Sequence, residues 1–210
     1  MQHKHNSHKA QSYEINKVIL MKRSLYLTGS SGTGKTTQSL HLAAMTGMSI
    51  VDGISRSSPY LMGTSEHQQH VSRRVFKKCM SQKAIHCRCP IDVAAYTKVN
   101  KVYSPMDEQH LTIFASTNPI VIYFPMLDHV EEDGFRPTDF DFNRQVDEYI
   151  LEALERYNIT YLALSKNSPE ARAEQIIKYW RNYDSQELLG MPGDLPAIRT
   201  DVGRETDQVR

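Results

Sequence analysis

A glycine-rich segment at residues 29–36 constrains this chain more than any other feature. It reads Gly-Ser-Ser-Gly-Thr-Gly-Lys-Thr and matches the pattern G-x-x-x-x-G-K-[ST] in full. The apolar run at 25–27 predicts a short buried strand before it, and residues 35–45 predict a helix after it. Glycines between a strand and a helix let successive backbone N–H groups surround a phosphate at the positive end of the helix. We therefore expect a phosphate-binding loop (P-loop) that holds a nucleoside triphosphate.

The residue types within the loop indicate their separate tasks. Lys35 is expected to reach the β- and γ-phosphates, and the hydroxyl of Thr36 is expected to bind Mg²⁺. The predicted nucleotide-binding residues are Gly29, Ser30, Ser31, Gly32, Thr33, Gly34, Lys35, Thr36 and Thr37. Kinases, motors and switches share such a loop, so the rest of the chain must indicate what happens to the γ-phosphate.

Strand-like and helix-like segments alternate after the loop. Short apolar runs predict strands at 24–28, 48–51, 84–89, 119–124 and 159–164, and apolar periodicity predicts helices at 66–80, 107–117, 142–157 and from 168 onward. Such alternation is typical of a parallel sheet with right-handed crossovers. We predict an α/β fold: a doubly wound parallel sheet of about five strands with helices on both faces, and a lid near 128–141.

Composition limits the class of protein. The 210 residues are 40% apolar and 23% charged with a net charge of +1, which is typical of one globular domain. The polar ends predict a flexible leader at 1–21, a kinase-like domain at 22–185 and a flexible tail at 186–210. With no apolar run long enough for a membrane span and no secretory signal pattern, we expect a cytoplasmic protein.

The three cysteines, Cys79, Cys87 and Cys89, are too few and too close together for a disulfide framework. A zinc site would need a second ligand pair at suitable spacing, and none is evident. We expect free, buried thiols.

Three polar residues follow predicted strands and are candidates for catalysis. Asp52 ends the second strand, where a carboxylate can take the proton of an acceptor or help hold a metal; the alternative is a turn residue before Gly53. Arg88 ends the third strand, where a guanidinium can grip phosphate. Asp92 follows shortly, as a metal ligand or as a cap of the next helix.

The predicted lid and the predicted helix after it contribute one candidate arginine each. Arg136 lies in a charged, glycine-containing segment, and an arginine that swings in from a lid stabilises the charge of a phosphoryl-transfer transition state. Arg144 is the weaker candidate. For both, the alternative is a solvated or salt-bridged surface side chain.

The predicted helix at 66–80 has a basic face. It carries Arg73, Arg74, Lys77 and Lys78, which form either a solvated surface or a contact for a phosphate backbone. Tyr60, His67 and His70 lie near the predicted acceptor side, where a stacking role is an open alternative.

Together these segments resemble the P-loop kinase-like ATPases related to nicotinamide-riboside kinase and to phage nucleoside and nucleotide kinases. The matching pieces are the loop at 29–36, the strand end at 51–53, the segment 88–96, the segment 133–136 with Asp147, and the segment 168–172. The resemblance covers roughly residues 22–183. One departure is Cys87, because the family often has an aspartate there and a thiol does not replace a carboxylate at a metal.

The resemblance implies a monophosphate-kinase-like fold, ATP with Mg²⁺ as the donor, and a nucleoside, nucleotide or related acceptor. Some relatives in large DNA phages look like kinases of a hydroxymethyl pyrimidine within DNA, so hydroxymethylated DNA is an alternative acceptor, in a host cytoplasm. We predict a phosphotransferase with Lys35, Asp52, Arg88, Asp92 and Arg136 in the reaction. A nucleotide-binding switch without an acceptor remains the non-enzymatic alternative, and the oligomeric state stays open.

Overall fold

The computed structural model of the protein describes residues 23–127, 139–165 and 167–188, with side chains up to residue 183. Its elements follow one another as β1 (Leu25–Thr28), α1 (Lys35–Thr46), β2 (Ile50–Val51), α2 (Ser65–Ser81), β3 (Ile85–His86), α3 (Pro90–Val99), α4 (Pro105–Ser116), β4 (Ile120–Tyr123), α5 (Phe140–Arg156), β5 (Tyr161–Ala163) and α6 (Pro169–Leu188).

The strands form a single parallel sheet in the order β2-β3-β1-β4-β5. β1 lies at the centre, and its four residues pair with β4 from Leu25 opposite Ile120 to Thr28 opposite Tyr123. The chain therefore leaves the middle of the sheet directly into the glycine-rich loop. In open parallel sheets, ligands bind at this carboxyl edge of the strands. The predicted α/β fold with about five parallel strands is confirmed.

Side chains of the sheet alternate between two cores, one on each face. Leu25 and Leu27 of β1 pack with α1 and α6, where Trp180 is fully buried. Tyr26 faces the opposite core, which α2, α3, α4 and α5 close. Helices on both faces explain why the central strands are apolar on both sides, as parallel strands require.

The helix α3 was missed by the sequence-based prediction, which described residues 90–99 only as the segment after the third strand. The reason is its environment, because eight consecutive residues from Pro90 to Thr97 are buried. A helix that is buried on all sides carries no amphipathic period. The sequence nevertheless indicates where α3 begins, since Pro90 occupies the first turn and Asp92 completes a capping box with Cys89.

β2 and β3, the two strands on one side of β1, are shorter than predicted. β2 spans Ile50–Val51 and β3 spans Ile85–His86, against predictions of 48–51 and 84–89. β2 pairs with β3 over these two residues only, which limits both strands. The predicted leader and most of the tail and lid fall outside the described residues. The last lid positions, 139–141, form the cap and first turn of α5.

The three cysteines are free and buried, as predicted. Cys79 lies on α2, and the other two follow β3. Among the helices described, none combines the length and apolarity that crossing a membrane requires.

Candidate active site: a phosphate loop beside a cavity

The glycine-rich loop connects β1 to α1 and takes its shape from its glycines. Gly29 has φ +145°, and a Cβ there would lie 2.4 Å from the carbonyl oxygen of Phe124. A side chain cannot be accommodated against that backbone, so only glycine fits. Gly32 and Gly34 have φ of 77° and 87°, in the left-handed region that glycine adopts without strain. The loop is thereby wound tightly over the first turn of α1.

The ammonium group of Lys35 lies inside the loop. Its Nζ donates to the carbonyl oxygens of Gly29 and Ser30, each at 2.6 Å, and to Oγ1 of Thr33 at 3.1 Å. These bonds hold one positive charge at the centre of the wound backbone. An anion that enters the loop meets both this charge and the positive end of α1.

Thr36 and Asp52 form a polar pair at the edge of the loop. The hydroxyl of Thr36 donates to Oδ2 of Asp52 at 3.1 Å, and both side chains are exposed to the crevice. Hydroxyl and carboxylate oxygens are the hard ligands that Mg²⁺ takes. In the described part of the chain no three His, Cys, Asp or Glu side chains cluster as a metal site. A metal here would share its ligands with bound phosphates, which is how Mg²⁺ is usually held.

Arg88 extends from the end of β3 over an aromatic ring. Its guanidinium carbon lies 4.8 Å from the ring centroid of Tyr96, on α3. The hydroxyl of Tyr96 is 2.7 Å from Oγ of Ser31 in the loop. A single buried tyrosine therefore supports the guanidinium and the phosphate loop together. No carboxylate among the residues described forms an ion pair with Arg88, so its charge is available to a ligand.

Asp92 is placed differently from the other candidates. It is 1% exposed and accepts from the backbone N–H of Gly29 at 3.2 Å and of Cys89 at 2.9 Å. It does not line the pocket. Of the two alternatives for Asp92, the structure shows the helix cap. The predicted direct contact with metal or phosphate is corrected to a structural tie between α3 and the loop, because both its oxygens are already engaged.

Cys87 stands between Arg88 and the sheet, where related kinases often carry a carboxylate. It is 2% exposed, and burial raises the pKa of its thiol to about 11. The thiol is therefore neutral at physiological pH. It does not supply the negative charge of an aspartate, and Asp52 is the exposed carboxylate next to the loop.

A second, partly buried acid lies on the other side of the loop. Asp147 of α5 accepts from the hydroxyl of Tyr123 at 2.5 Å. Burial raises the pKa of Asp147, whereas the Tyr123 hydroxyl and the charge of Lys35 act in the opposite direction. Asp147 thus belongs to the packing behind the loop. The segment that matched related kinases by sequence includes it.

One cavity of about 510 Å³ joins these groups. One side of the cavity is formed by loop residues 31–37, and Asp52 and Arg88 lie beside them. Its other side is formed by the β2–α2 connection, α2, α3 and the start of α5. The structure therefore brings together Lys35, Asp52 and Arg88, which the sequence predicted separately. Arg136 lies outside the described residues, and its role stays a prediction.

The remaining candidates divide between pocket and surface. His67 lines the pocket but is engaged, since its Nε2 lies 3.3 Å from Oγ and from the carbonyl oxygen of Ser55. Tyr60 and His70 pack edge to face at 5.5 Å, outside the pocket lining. Arg144 forms ion pairs with Asp141 and Glu148 on the surface, which is the salt-bridged alternative given for it above.

Tyr96 and Gln68 are among the pocket residues that were not predicted from the sequence. Tyr96 had no assigned role, although it lay in the segment that resembles related kinases. Gln68 of α2 lines the pocket and is 6% exposed. A signal for Gln68 was present, because the apolar spacing of Val71 and Val75 places residue 68 on the buried side of the helix. A glutamine there is a polar residue on an apolar face.

Solved structures share this architecture. Deoxyadenosine kinase from M. mycoides, with the products dCMP and a flexible dCDP bound, superposes with a TM-score of 0.57 at 14% identity, over 76% of this chain and 98% of that chain. The YorR protein from Bacillus subtilis, in complex with phosphorylated GDP, gives 0.55 at 16% identity, over 79% and 98%. At such identities the likeness shows the fold, which is that of P-loop nucleotide kinases. No curated protein matches the sequence significantly.

The sequence itself carries a family match. The model of the AAA domain covers residues 24–172, from the start of β1 into α6. This range includes the whole phosphate loop, Asp52, Arg88 and the pocket they share. The chain therefore belongs to the AAA domain family of P-loop proteins.

Proposed function

We propose that this protein is an ATP-dependent kinase that transfers the γ-phosphoryl group to a hydroxyl or phosphate of a nucleoside- or nucleotide-type acceptor in the cytoplasm. One observation carries the proposal: a single pocket contains the phosphate loop, an exposed carboxylate and a guanidinium that forms no ion pair with a described carboxylate, and it continues into a cavity with both polar and apolar walls. A switch protein needs the loop but has no use for an adjoining acceptor cavity. The kinase fold of the structural neighbours supports the same choice.

The donor side fits ATP with Mg²⁺. The wound glycines leave backbone N–H groups for phosphate oxygens, and Lys35 is already placed at the centre of the loop. Thr36 would hold the metal, and the neighbouring Asp52 orients its hydroxyl. When bound, Mg²⁺ neutralises phosphate charge during transfer. Lys35 then exchanges its bonds to loop carbonyl oxygens for bonds to the β- and γ-phosphates.

The acceptor side supplies a base and a cation. For a hydroxyl acceptor, Asp52 takes the proton as the acceptor oxygen attacks the γ-phosphorus. A new P–O bond forms, the bond from the γ-phosphorus to the β–γ bridging oxygen breaks, and ADP leaves. Arg88, held over Tyr96, binds the equatorial oxygens of the transferring group. We retain Arg136 as a second cation for this step.

A second acceptor, a hydroxymethyl pyrimidine within DNA, is favoured by the surface of α2. Arg73, Arg74 and Lys77 are exposed on α2, and none of them is ion-paired with a described residue. Cations spaced along one helix face suit a phosphate backbone. The same helix lines the pocket, so DNA bound on this face would lie near the acceptor cavity.

The test is a transfer assay with γ-labelled ATP and Mg²⁺. One set of acceptors is free nucleosides and nucleotides, and the other is duplex DNA with and without 5-hydroxymethyluracil. Label on a free nucleoside or nucleotide supports the first acceptor class, and label on modified DNA alone supports the second. ATP binding without transfer to either set would contradict the kinase proposal and favour a nucleotide-binding switch. Lys35→Ala is the control for both sets.

A further inference from the structure

Three consecutive apolar side chains are exposed in the connection between β2 and α2. Tyr60 is 48% exposed, Leu61 79% and Met62 51%, and we call this run the loop tip. Single exposed apolar residues are common on protein surfaces, whereas a contiguous exposed run is typical of a surface that binds another molecule. We therefore expect the loop tip to contact a binding partner.

The loop tip is fixed to the start of α2. The ring of Tyr60 packs edge to face on the ring of His70, with the centroids 5.5 Å apart. The carbonyl oxygen of Leu61 accepts from the backbone N–H of Thr64 at 3.2 Å and from its hydroxyl at 2.8 Å. Thr64 is also the N-cap of α2. Because these contacts order the loop tip in advance, a partner that covers it does not have to supply the cost of ordering it.

The loop tip also adjoins the cavity that contains the phosphate loop. Met62 and the following Gly63 line this cavity, although half of the Met62 side chain is exposed. The loop tip therefore lies at the rim of the cavity. A partner that covers the loop tip reaches the cavity entrance at the same time.

α2 indicates the charge of this partner. Three exposed cations, which we call the cationic face, share the helix face of His70 at the spacing i, i+3, i+4 and i+7: Arg73, Arg74 and Lys77. Glu66, in the first turn, lies on this face as well, but every charged residue of α2 after Glu66 is basic. His70 contacts the loop tip, so the cationic face begins one turn beyond that contact. The partner is therefore anionic along α2 and apolar at the loop tip.

We propose that the loop tip is a wedge that enters duplex DNA while the cationic face binds the phosphate backbone. This inference rests on the second acceptor of the proposed function, a base within DNA. Duplex DNA offers regularly spaced phosphates beside apolar base stacks, which matches the two surfaces. Side chains such as Leu and Met, inserted between base steps, unstack them.

A wedge supplies a step that this acceptor requires. A stacked and paired base cannot reach an active site in a cavity, so enzymes that act on a base in a duplex first take it out of the stack. The cavity of about 510 Å³ is far smaller than a duplex, and the loop tip lies at its rim. Leu61, the most exposed residue of the loop tip, is placed to fill the space that the departing base leaves.

The experiment measures duplex opening separately from phosphoryl transfer. The probe is a duplex with one 5-hydroxymethyluracil beside a 2-aminopurine, whose fluorescence rises when it is unstacked. The wedge variant is Leu61→Ser, and its control is Leu40→Ser on α1, where the leucine is 61% exposed and outside the cavity lining. For the cationic face, Arg74→Gln is compared with Lys178→Gln, which removes an exposed cation from α6.

We expect the wild type to raise the fluorescence and Leu61→Ser to lose most of this rise. Leu61→Ser should also lower kcat/KM for phosphorylation of the duplex by about 10-fold or more, since unstacking a base step is costly. On single-stranded DNA of the same sequence it should match the wild type, because that substrate needs little opening. Leu40→Ser should match the wild type on both substrates.

The salt dependence of duplex binding tests the cationic face. Arg74→Gln should reduce the slope of log K against log salt concentration by about 0.9, the share of one phosphate contact. Lys178→Gln should leave the slope unchanged. Equal slopes for Arg74→Gln and the wild type would contradict backbone binding by the cationic face.

Full duplex opening by Leu61→Ser overturns the wedge, and so does an equal loss of activity on single-stranded DNA. Absence of duplex binding, or binding only to vesicles of anionic phospholipid, overturns DNA as the partner. Opening that depends on Leu61 without any phosphoryl transfer supports the inference although the kinase proposal fails. Transfer to free nucleosides without DNA binding supports the kinase proposal and overturns this inference.

Discussion

The hydroxyl of Thr36 donates a hydrogen bond of 3.1 Å to the carboxylate of Asp52, which ties the first turn of α1 to the end of β2. The predicted metal ligand and the predicted base are therefore in direct contact. Their roles are separable by experiment, because a ligand and a base respond differently to the concentration of metal.

The first prediction compares Thr36→Ala with Asp52→Asn. Loss of a metal ligand weakens Mg²⁺ binding, so Thr36→Ala should raise the Mg²⁺ concentration for half-maximal activity and be partly rescued at high Mg²⁺. Loss of the base should lower kcat by about 100-fold or more at every Mg²⁺ concentration. The measurement is kcat against Mg²⁺ for each variant. Rescue of Asp52→Asn by Mg²⁺ would show that Asp52 is a metal ligand instead.

The second prediction concerns Lys35. Its ammonium is the charge at the centre of the loop, so Lys35→Ala should lower kcat by about 100- to 1,000-fold, the usual effect of removing a transition-state donor. Lys35→Arg should not restore activity, because the bulkier guanidinium does not fit between the carbonyl oxygens of Gly29 and Ser30. Steady-state kinetics and ATP binding on both variants test this. Full activity of either variant contradicts the assigned role.

The third prediction distinguishes the two buried capping carboxylates. Asp92 and Asp107 both complete a capping box at the start of a helix, at 1% and 4% exposure. Asp92 also bonds Gly29 of the phosphate loop, whereas Asp107 bonds Ser72 of α2. Asp92→Asn and Asp107→Asn should each lower the free energy of unfolding by about 1–3 kcal/mol.

Only the first of these variants should also weaken ATP binding, because only Asp92 holds the loop. Urea unfolding and equilibrium ATP binding measure the two effects. Equal ATP affinities in the two variants would mean that the bond from Gly29 does not shape the donor site.

The fourth prediction is a dependence of stability on pH through His86. This side chain is fully buried between Tyr26, which it stacks on at 5.0 Å, and Cys79. Burial lowers the pKa of His86 below its value in the unfolded chain, although its bond to the Gln82 carbonyl oxygen acts against this. Below a pH of about 6.5 the unfolded chain binds a proton that the folded protein excludes, so stability falls as the pH falls.

His86→Phe keeps the stacked ring and removes this proton. The variant should lose less stability than the wild type between about pH 6.5 and pH 5. Thermal unfolding across this range makes the comparison. Parallel pH profiles for the two proteins would contradict the assignment.

The central part of the molecule could be predicted from the sequence because local patterns determine it. The loop pattern, the apolar run of β4 and the stripe of α5 each report on their own backbone, and the structure places them as expected. α3 could not be predicted in this way. Its burial on all sides depends on which helices surround it, and that is a property of the assembled fold.

The candidate site shows the same limit. Lys35 was identified from the loop pattern, and Asp52 and Arg88 from strand ends, since a parallel sheet brings those ends to one edge. Asp92 follows a strand as well, yet its side chain turns inward to the helix cap and the loop. Whether a carboxylate after a strand lines the pocket or caps the next helix depends on the folded backbone around it, which the sequence pattern does not show. Gln68 was recognisable only as a polar residue on an apolar face.

Two bonds leave α3 for the phosphate loop, from Asp92 to Gly29 and from Tyr96 to Ser31, one helical turn apart. The donor half of the site is thus anchored to an element enclosed by its neighbours, whereas part of the opposite pocket wall belongs to α2, whose far side faces solvent. α3 supports the phosphate loop, whereas α2 contributes only to the opposite wall. Substitutions along α2 can therefore change which acceptor the protein binds without changing its affinity for the triphosphate. Acceptor specificity can then diverge among related proteins that keep the same phosphate donor.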